Sequence, residues 1–164
     1  MANKTHPLVQ GLFSFDGRMR RSEYWLTSFG LGIFKAILTF VLAAFTGELG
    51  RTDGGWASIV IEVLFLWPTL AILVKRGHDR NRPALFSIGL MVVLLVVAMV
   101  MAASQVAGGS MLMFACLIVL VGAAGFMLID YGFIDGTQGP NRYGPSPKGI
   151  GPQHAQQDLA QVFD

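Results

Sequence analysis

The sequence contains few charged residues for its length. Asp, Glu, Lys and Arg make up 13% of the 164 residues, whereas soluble domains usually have about 25%. Hydrophobic residues make up 53% of the chain, which is more apolar surface than a soluble domain of this size could bury. The scarcity of charge therefore indicates that a lipid bilayer is the solvent for most of the chain.

Cysteine and catalytic motifs are also scarce. The single cysteine, Cys116, excludes a disulfide within the chain, and its apolar neighbours favour a small packing residue over a reactive thiol. There is no nucleophilic serine motif, no HExxH motif and no phosphate-binding glycine loop between a strand and a helix. A net charge of +2 is too small to predict nucleic-acid binding. We therefore expect no enzyme activity, cofactor, metal or nucleic-acid partner.

Four long apolar runs occupy most of the chain, at about residues 24–45, 56–74, 84–104 and 111–129. Each can cross the hydrocarbon core, which takes roughly 20 helical residues at about 1.5 Å per residue. Backbone groups in lipid need internal hydrogen bonds, so the runs should be helical. The sequence predicts an all-α polytopic membrane domain, residues 24–131, with four transmembrane helices arranged as two αα-hairpins. Residues 1–23 precede it, and a Gly/Pro-rich tail, residues 132–164, follows it.

Basic residues are distributed unevenly between the predicted loops. Ten Lys and Arg lie in the N-terminal segment, the middle loop and the C-terminal tail, whereas the first loop has only Arg51 and the third has none. The positive-inside rule then predicts that both termini and the middle loop are cytoplasmic. A cleaved signal peptide is the competing interpretation of the first run. Asp16 and Glu23 before that run and Lys35 within it argue against cleavage.

Three polar segments are therefore predicted to meet at the cytoplasmic face. The middle segment, Lys75–Pro83, is interpreted as a loop between the second and third helices, and Asp16 or Glu23 is predicted to pair with Arg76 or Arg80. The resulting cap could anchor the protein, bind anionic lipid head groups or dock a protein. Its candidate residues are Asp16, Arg18, Arg21, Glu23, Arg76, His78, Asp79, Arg80, Asn141, Arg142 and Tyr143.

His78 and Asp79 are the residues in this cap that could bind a metal or transfer protons. His6 and His154 have no ligand-like spacing to them, and no cysteine lies nearby. We therefore favour a histidine in a hydrogen-bonded loop.

Two features of the predicted spans stand out. Lys35 lies near the middle of the first span, where a charge costs about 2.5–3.5 kcal/mol, and Glu62 in the second span is its expected partner, although the two side chains lean apart. The spacing of Ser28, Gly32 and Ala36 would let another helix approach closely. Ala98 and Ala102 offer a shorter face of the same kind.

Three motifs resemble those of the DUF805 family of small bacterial inner-membrane proteins. The first is the stretch from Phe15 to Trp25, and the last runs from Asn141 to Pro147. The second comprises Pro68, Ala71, Lys75, Arg76, His78 and Asp79. The resemblance implies a multi-pass protein of the bacterial inner membrane. It implies no activity and no catalytic residues.

The interpretation that fits these observations is a non-enzymatic accessory or scaffold subunit. It would bind other membrane proteins, or form a homo-oligomer, through its helices and its basic cytoplasmic cap. One alternative is a small transporter or channel component that uses Lys35 and Glu62. Another is a binder of anionic lipid head groups.

Overall fold

The computed structural model describes residues 12–49, 55–106 and 109–149. Parts of the predicted N-terminal segment, first loop and C-terminal tail, including Arg51, therefore lie outside the described residues. The described part contains four α-helices and no strand: α1 (Arg21–Thr46), α2 (Trp56–Asp79), α3 (Ala84–Val106) and α4 (Ser110–Met127). A π-helical turn, Leu128–Phe133, continues α4. All four helices are long and apolar enough to cross a membrane, which confirms the predicted all-α transmembrane fold.

The loop interpretation of Lys75–Pro83 is only partly correct, because α2 continues to Asp79. Arg76 and His78 lie in the last turn of this helix, where positive charge is favourable next to the negative end of the helix dipole. Asn81 has a φ of 57°, in the left-handed region that often ends helices. The connection to α3 is therefore a short turn at residues 80–83, and the conspicuous charges belong to the helix.

The helices follow one another in space as they do in sequence. α1 packs on α2, α2 on α3 and α3 on α4, while the π-helical turn reaches back to α1 and α2. Within the described residues, α1 has no contact with the α-helical parts of α3 and α4. The bundle is therefore open along one flank of α1.

The most buried part of the protein is the C-terminal end of α2. Every residue from Ala71 to Asp79 is buried, as is Tyr131 of the π-helical turn. The halves of the helices farther from this end present large apolar side chains to their surroundings, such as Phe45 and Met111. Such exposure is expected of helices that face lipid, so the ordered core lies at the polar end of the bundle.

Candidate functional site

Three segments of the chain converge on the buried end of α2. We call this region the polar cap, and it comprises residues 16–23, 75–82 and 130–148. The backbone N–H of Met19 donates to the carbonyl of Lys75 at 3.3 Å, and that of Thr137 donates to the carbonyl of Asp79 at 2.8 Å. The segments before α1 and after α4 are thus tied directly to the end of α2.

Arg76 is the centre of the polar cap, with 0% of its surface exposed. Its Nε donates to the carbonyl of Tyr131 at 2.6 Å, and its Nη2 donates to the carbonyl of Ile134 at 2.6 Å. Its Nη1 donates to the carbonyl of Met19 at 3.3 Å and to Asp79 Oδ2 at 2.5 Å. The planar guanidinium, which carries five donors, therefore joins all three segments.

Asp79 lies between two arginines. Its Oδ2 accepts from Arg76, while its Oδ1 lies 2.9 Å from Arg18 Nη2. Arg18 also donates to the carbonyls of Thr137 at 2.6 Å and Gly139 at 2.7 Å. A Cβ at Gly136 would clash directly with the Asp79 carboxylate. The chain after α4 can pass over this carboxylate only because residue 136 is glycine.

His78 is held in the polar cap by its ring and by its backbone. The ring stacks on Tyr143, with centroids 3.8 Å apart and planes inclined by 6°, and Nδ1 lies 3.2 Å from the carbonyl of Gly17. Asn141 Nδ2 donates to the carbonyl of His78 at 2.9 Å, and Asn141 Oδ1 accepts from the N–H of Tyr143. The expected hydrogen-bonded loop is wrong as to secondary structure, because His78 lies in the last turn of α2. Its Nε2 is buried and has no hydrogen-bond partner among the described residues.

Asp130 forms a second ionic cluster at the end of α4. Its Oδ1 accepts from Arg82 Nη2 at 2.9 Å and from Arg80 Nη2 at 3.3 Å. The Arg82 guanidinium also lies over the ring of Phe86, 4.4 Å from its centroid. Asp130 is buried in the π-helical turn. Its carboxylate therefore links the end of α4 to the turn between α2 and α3.

The predicted pairing of Asp16 or Glu23 with Arg76 or Arg80 is wrong. Glu23 instead accepts from the backbone N–H and the side chain of Arg20, and so caps the start of α1. Asp16 accepts from the hydroxyl of Ser14. Asp16 and Glu23 therefore bond residues of their own segment. Arg76 pairs instead with Asp79, and Arg80 pairs with Asp130.

The rim of the polar cap carries weaker, exposed ion pairs. Arg21 Nε lies 3.3 Å from Asp135 Oδ1, and Lys148 Nζ lies 3.3 Å from Asp135 Oδ2. The hydrogen bond from Lys148, together with the positive charge of Arg21, lowers the pKa of Asp135 below its ordinary value. Arg142 donates to the carbonyl of Asn81 at 3.0 Å. These exposed groups contribute little to stability.

Several residues of the polar cap are missing from the set predicted from sequence. Thr137 bonds both Arg18 and the backbone of Asp79, and the hydroxyls of Tyr131 and Ser87 lie 3.0 Å apart in the core. Gly136 provides the space over Asp79 described above. No single-sequence signal identifies these residues, because their roles depend on the way the chain returns after α4.

Lys35 and Glu62 form the intramembrane pair expected from the sequence. Lys35 Nζ lies 2.6 Å from Glu62 Oε1, so the opposed lean of the two side chains does not separate them. Lys35 is partly exposed, and Glu62 is largely exposed. Lys35 lines the open flank of α1, away from the polar cap.

The buried residues of the polar cap bond mostly to the chain itself. Arg76, His78 and Asp79 are buried, and Arg76, Asp79 and His78 Nδ1 lie within hydrogen-bonding distance of other groups of the chain. His78 Nε2 is buried without a hydrogen-bond partner among the described residues. Within the residues that the structure describes, no group of three or more His, Cys, Asp or Glu side chains is arranged to hold a metal ion. The arrangement is suited to fixing the ends of the helices.

The family model described as "Protein of unknown function (DUF805)" matches residues 12–145. The chain belongs to the DUF805 family. It is 34% identical to "Uncharacterized protein YiiR" of Escherichia coli K12 over 87% of this chain and 92% of that protein. It is 26% identical to "Inner membrane protein YhaH" of the same organism over 86% of this chain and 93% of that protein. No solved structure matches the chain.

The matched region of the DUF805 model contains most of the polar cap and all four helices. The four membrane-spanning helices and the relation to an inner-membrane protein support a multi-pass integral protein of the bacterial inner membrane. The names of these two relatives assign no activity to either protein.

Proposed function

We propose that this protein is a non-enzymatic accessory or scaffold subunit of the bacterial inner membrane. It acts by binding other membrane proteins through its helices and its cytoplasmic polar cap. The observation that carries the proposal is that buried polar side chains of the polar cap form hydrogen bonds and ion pairs within the chain. Arg18, Arg76 and Asp79 bind the chain itself and fix the relative positions of its helix ends. By fixing the helix ends, the polar cap keeps the membrane-embedded surface of the helices rigid. A rigid surface favours binding of another protein, because less conformational freedom is lost on association.

The rim of the polar cap is the part that remains accessible on the cytoplasmic side. Arg20, Arg21 and Arg142 are exposed there. Arg20 and Arg21 are each paired with an acid that is also exposed. Anionic lipid head groups or acidic segments of a partner can compete with these exposed acids for the arginines. The attraction of each Lys or Arg to an anionic lipid surface is worth about 1 kcal/mol.

Affinity purification from native membranes in a mild detergent tests the proposal. The protein should elute with another membrane protein in fixed stoichiometry, or as a defined oligomer. Arg76→Ala should abolish this assembly by disordering the polar cap, whereas Arg142→Ala, at the exposed rim, should retain the fold. A strictly monomeric protein with nothing bound, from membranes solubilised by several mild detergents, would contradict the proposal.

A small transporter or channel component is the second candidate. The observation that favours it is the Lys35–Glu62 pair near the middle of the membrane, beside an open groove. Ionisable residues at this depth often mark the path of an ion. Flux of common ions into liposomes that contain the purified protein, abolished by Lys35→Ala, would favour this candidate. Absence of flux with the unaltered protein would count against it.

A further inference from the structure

A groove runs along the open flank of α1, where α1 does not reach α3 and α4. The stretch beside Tyr24 has a volume of about 320 Å³, and its walls include Tyr24, Ser28, Gly32 and Lys35 of α1, with Met91 of α3 and Met127 of α4. A second open stretch, of about 560 Å³, continues along α1 past Ala36 to Phe40. The face of α1 with spaced small residues is therefore the face that lacks a helix partner within the described chain.

The glycine in this face confirms that the surface is free. A Cβ built at Gly32 meets no atom within 4 Å, and Gly32 and Ala36 are exposed. Small residues spaced by four normally allow two helix backbones to approach closely. Here the approach is possible, but no described segment of the chain makes it.

The length of the groove discriminates between a lipid chain and a helix. From Tyr24 to Phe40, α1 rises about 24 Å, at about 1.5 Å per residue. The hydrocarbon core is about 30 Å thick, so the chains of a lipid in one leaflet reach only about 15 Å into it. A membrane-spanning helix matches the whole groove, whereas a lipid of one leaflet fills only part of it.

The charge in the groove indicates what such a helix must carry. Lys35 lines both stretches of the groove. An ammonium group has three hydrogen-bond donors, and Glu62 Oε1 is the partner that the described structure gives it. An amide oxygen from a second helix would provide a further acceptor for this ammonium. A neutral amide does so without bringing a second carboxylate to the Lys35–Glu62 pair.

We infer that the α1 groove receives a membrane-spanning helix of another protein, with an Asn or Gln side chain at the depth of Lys35. This inference rests on the proposed binding function and names the surface and the kind of partner. A second copy of this chain that pairs α1 with α1 fits less well, because α1 has no Asp, Glu, Asn or Gln between Tyr24 and Phe40. A second α1 would therefore offer Lys35 no side-chain amide or carboxylate to accept its hydrogen bonds.

A photoreactive amino acid placed on α1 tests the surface in native membranes. At Ala36, in the groove, it should crosslink to a peptide from a membrane-spanning segment of another protein, and mass spectrometry should find an Asn or Gln residue in that segment. The matched control is Gly30, which is also exposed and also has no atom within 4 Å of a built Cβ. Gly30 lies about 160° around the helix from Gly32, so its crosslinks should go to lipid.

Two substitutions then test whether the groove is needed. Gly32→Leu places a large side chain in the groove, and its Cβ meets no atom of this chain within 4 Å. It should therefore reduce recovery of the crosslinked partner roughly tenfold while the protein remains folded. Gly30→Leu adds the same side chain on the other face and should leave recovery unchanged. Lys35→Leu should also reduce recovery, because it removes the donor that the partner's side chain accepts from.

The outcomes separate this inference from the proposed function. If a partner co-purifies but crosslinks equally from both faces, or survives Gly32→Leu, the groove is not its binding surface and only the inference fails. Crosslinks from Ala36 to lipid alone, or to a second copy of this chain, also overturn the inference. If no partner or oligomer is recovered from the unaltered protein, the proposed function fails first.

Discussion

The two ends of the helix bundle are held together by different forces. At the polar cap, Arg76 and Asp79 are buried and bound by named donors and acceptors from three segments. Away from the polar cap, the helices meet through apolar side chains, such as Phe34 and Phe65 with ring centroids 5.9 Å apart. Lipid is as apolar as these side chains, so burying them against each other yields little hydrophobic free energy. The specific geometry of the fold is therefore concentrated at the polar cap.

The largest effect is expected from a substitution at the centre of the polar cap. Arg76→Ala leaves the Asp79 carboxylate buried with one of its two arginines missing, which should lower the free energy of unfolding by about 3–5 kcal/mol. Reversible unfolding in mixed micelles measures the change. Arg20→Ala is the control, because it removes an exposed pair with Glu23 worth under about 1 kcal/mol. Equal losses for the two variants would contradict the assignment of stability to the buried cluster.

The second prediction tests the close approach of the returning chain to Asp79. Gly136→Ala places a methyl group against the carboxylate, so the segment must shift, and we expect a loss of about 1–3 kcal/mol in the free energy of unfolding. Gly30→Ala is the matched control, because its methyl group meets no atom within 4 Å. It should be neutral or slightly stabilising, since alanine favours helix. A neutral Gly136→Ala would show that this segment is not packed on Asp79.

The contrast between the two ends also explains what sequence reasoning could predict. The four spans follow from apolar runs alone, because membrane thickness sets the length of a helix whatever its neighbours are. The participation of Arg18, Arg76, His78 and Asn141 in one cap follows from the three motifs. The partners within the cap do not, since choosing Asp79 over Asp16 for Arg76 depends on side-chain distances that sequence order does not encode.

The extension of α2 and the π-helical turn are the clearest misses. Lys75–Asp79 has the charge of a loop, yet it remains helical because the returning segments surround it with hydrogen-bond acceptors. The π-helical turn that buries Asp130 and Tyr131 leaves no pattern in the apolar run before it. Both features arise from tertiary contacts, which override local composition.

The third prediction concerns the membrane interior, where the Lys35–Glu62 pair joins α1 and α2. Lys35→Leu leaves Glu62 without its partner and should lower the free energy of unfolding by about 1 kcal/mol, the size typical of polar contacts between membrane helices. Lys35→Leu combined with Glu62→Leu removes both charges and should recover that loss, because the desolvation of both groups disappears as well. A double-variant cycle measures the coupling. Strictly additive effects would show that the two side chains do not interact.

The smallest effect is expected at the rim, and it sharpens the contrast between buried and exposed charge. Asp135 has a pKa below its ordinary value, chiefly because Lys148 donates to it and secondarily because Arg21 lies nearby. A carboxyl with a lowered folded-state pKa stabilises the fold above the ordinary value of about 3.9, and that contribution is lost as pH falls through the lower folded-state pKa. An NMR titration of the Asp135 carboxyl should have a low midpoint, which Lys148→Ala should raise more than Arg21→Ala does. Since the Asp135 side chain is exposed, Asp135→Asn should leave the free energy of unfolding near neutral pH almost unchanged. A loss as large as that expected for Arg76→Ala would show that the rim stabilises the fold as much as the buried centre of the polar cap does.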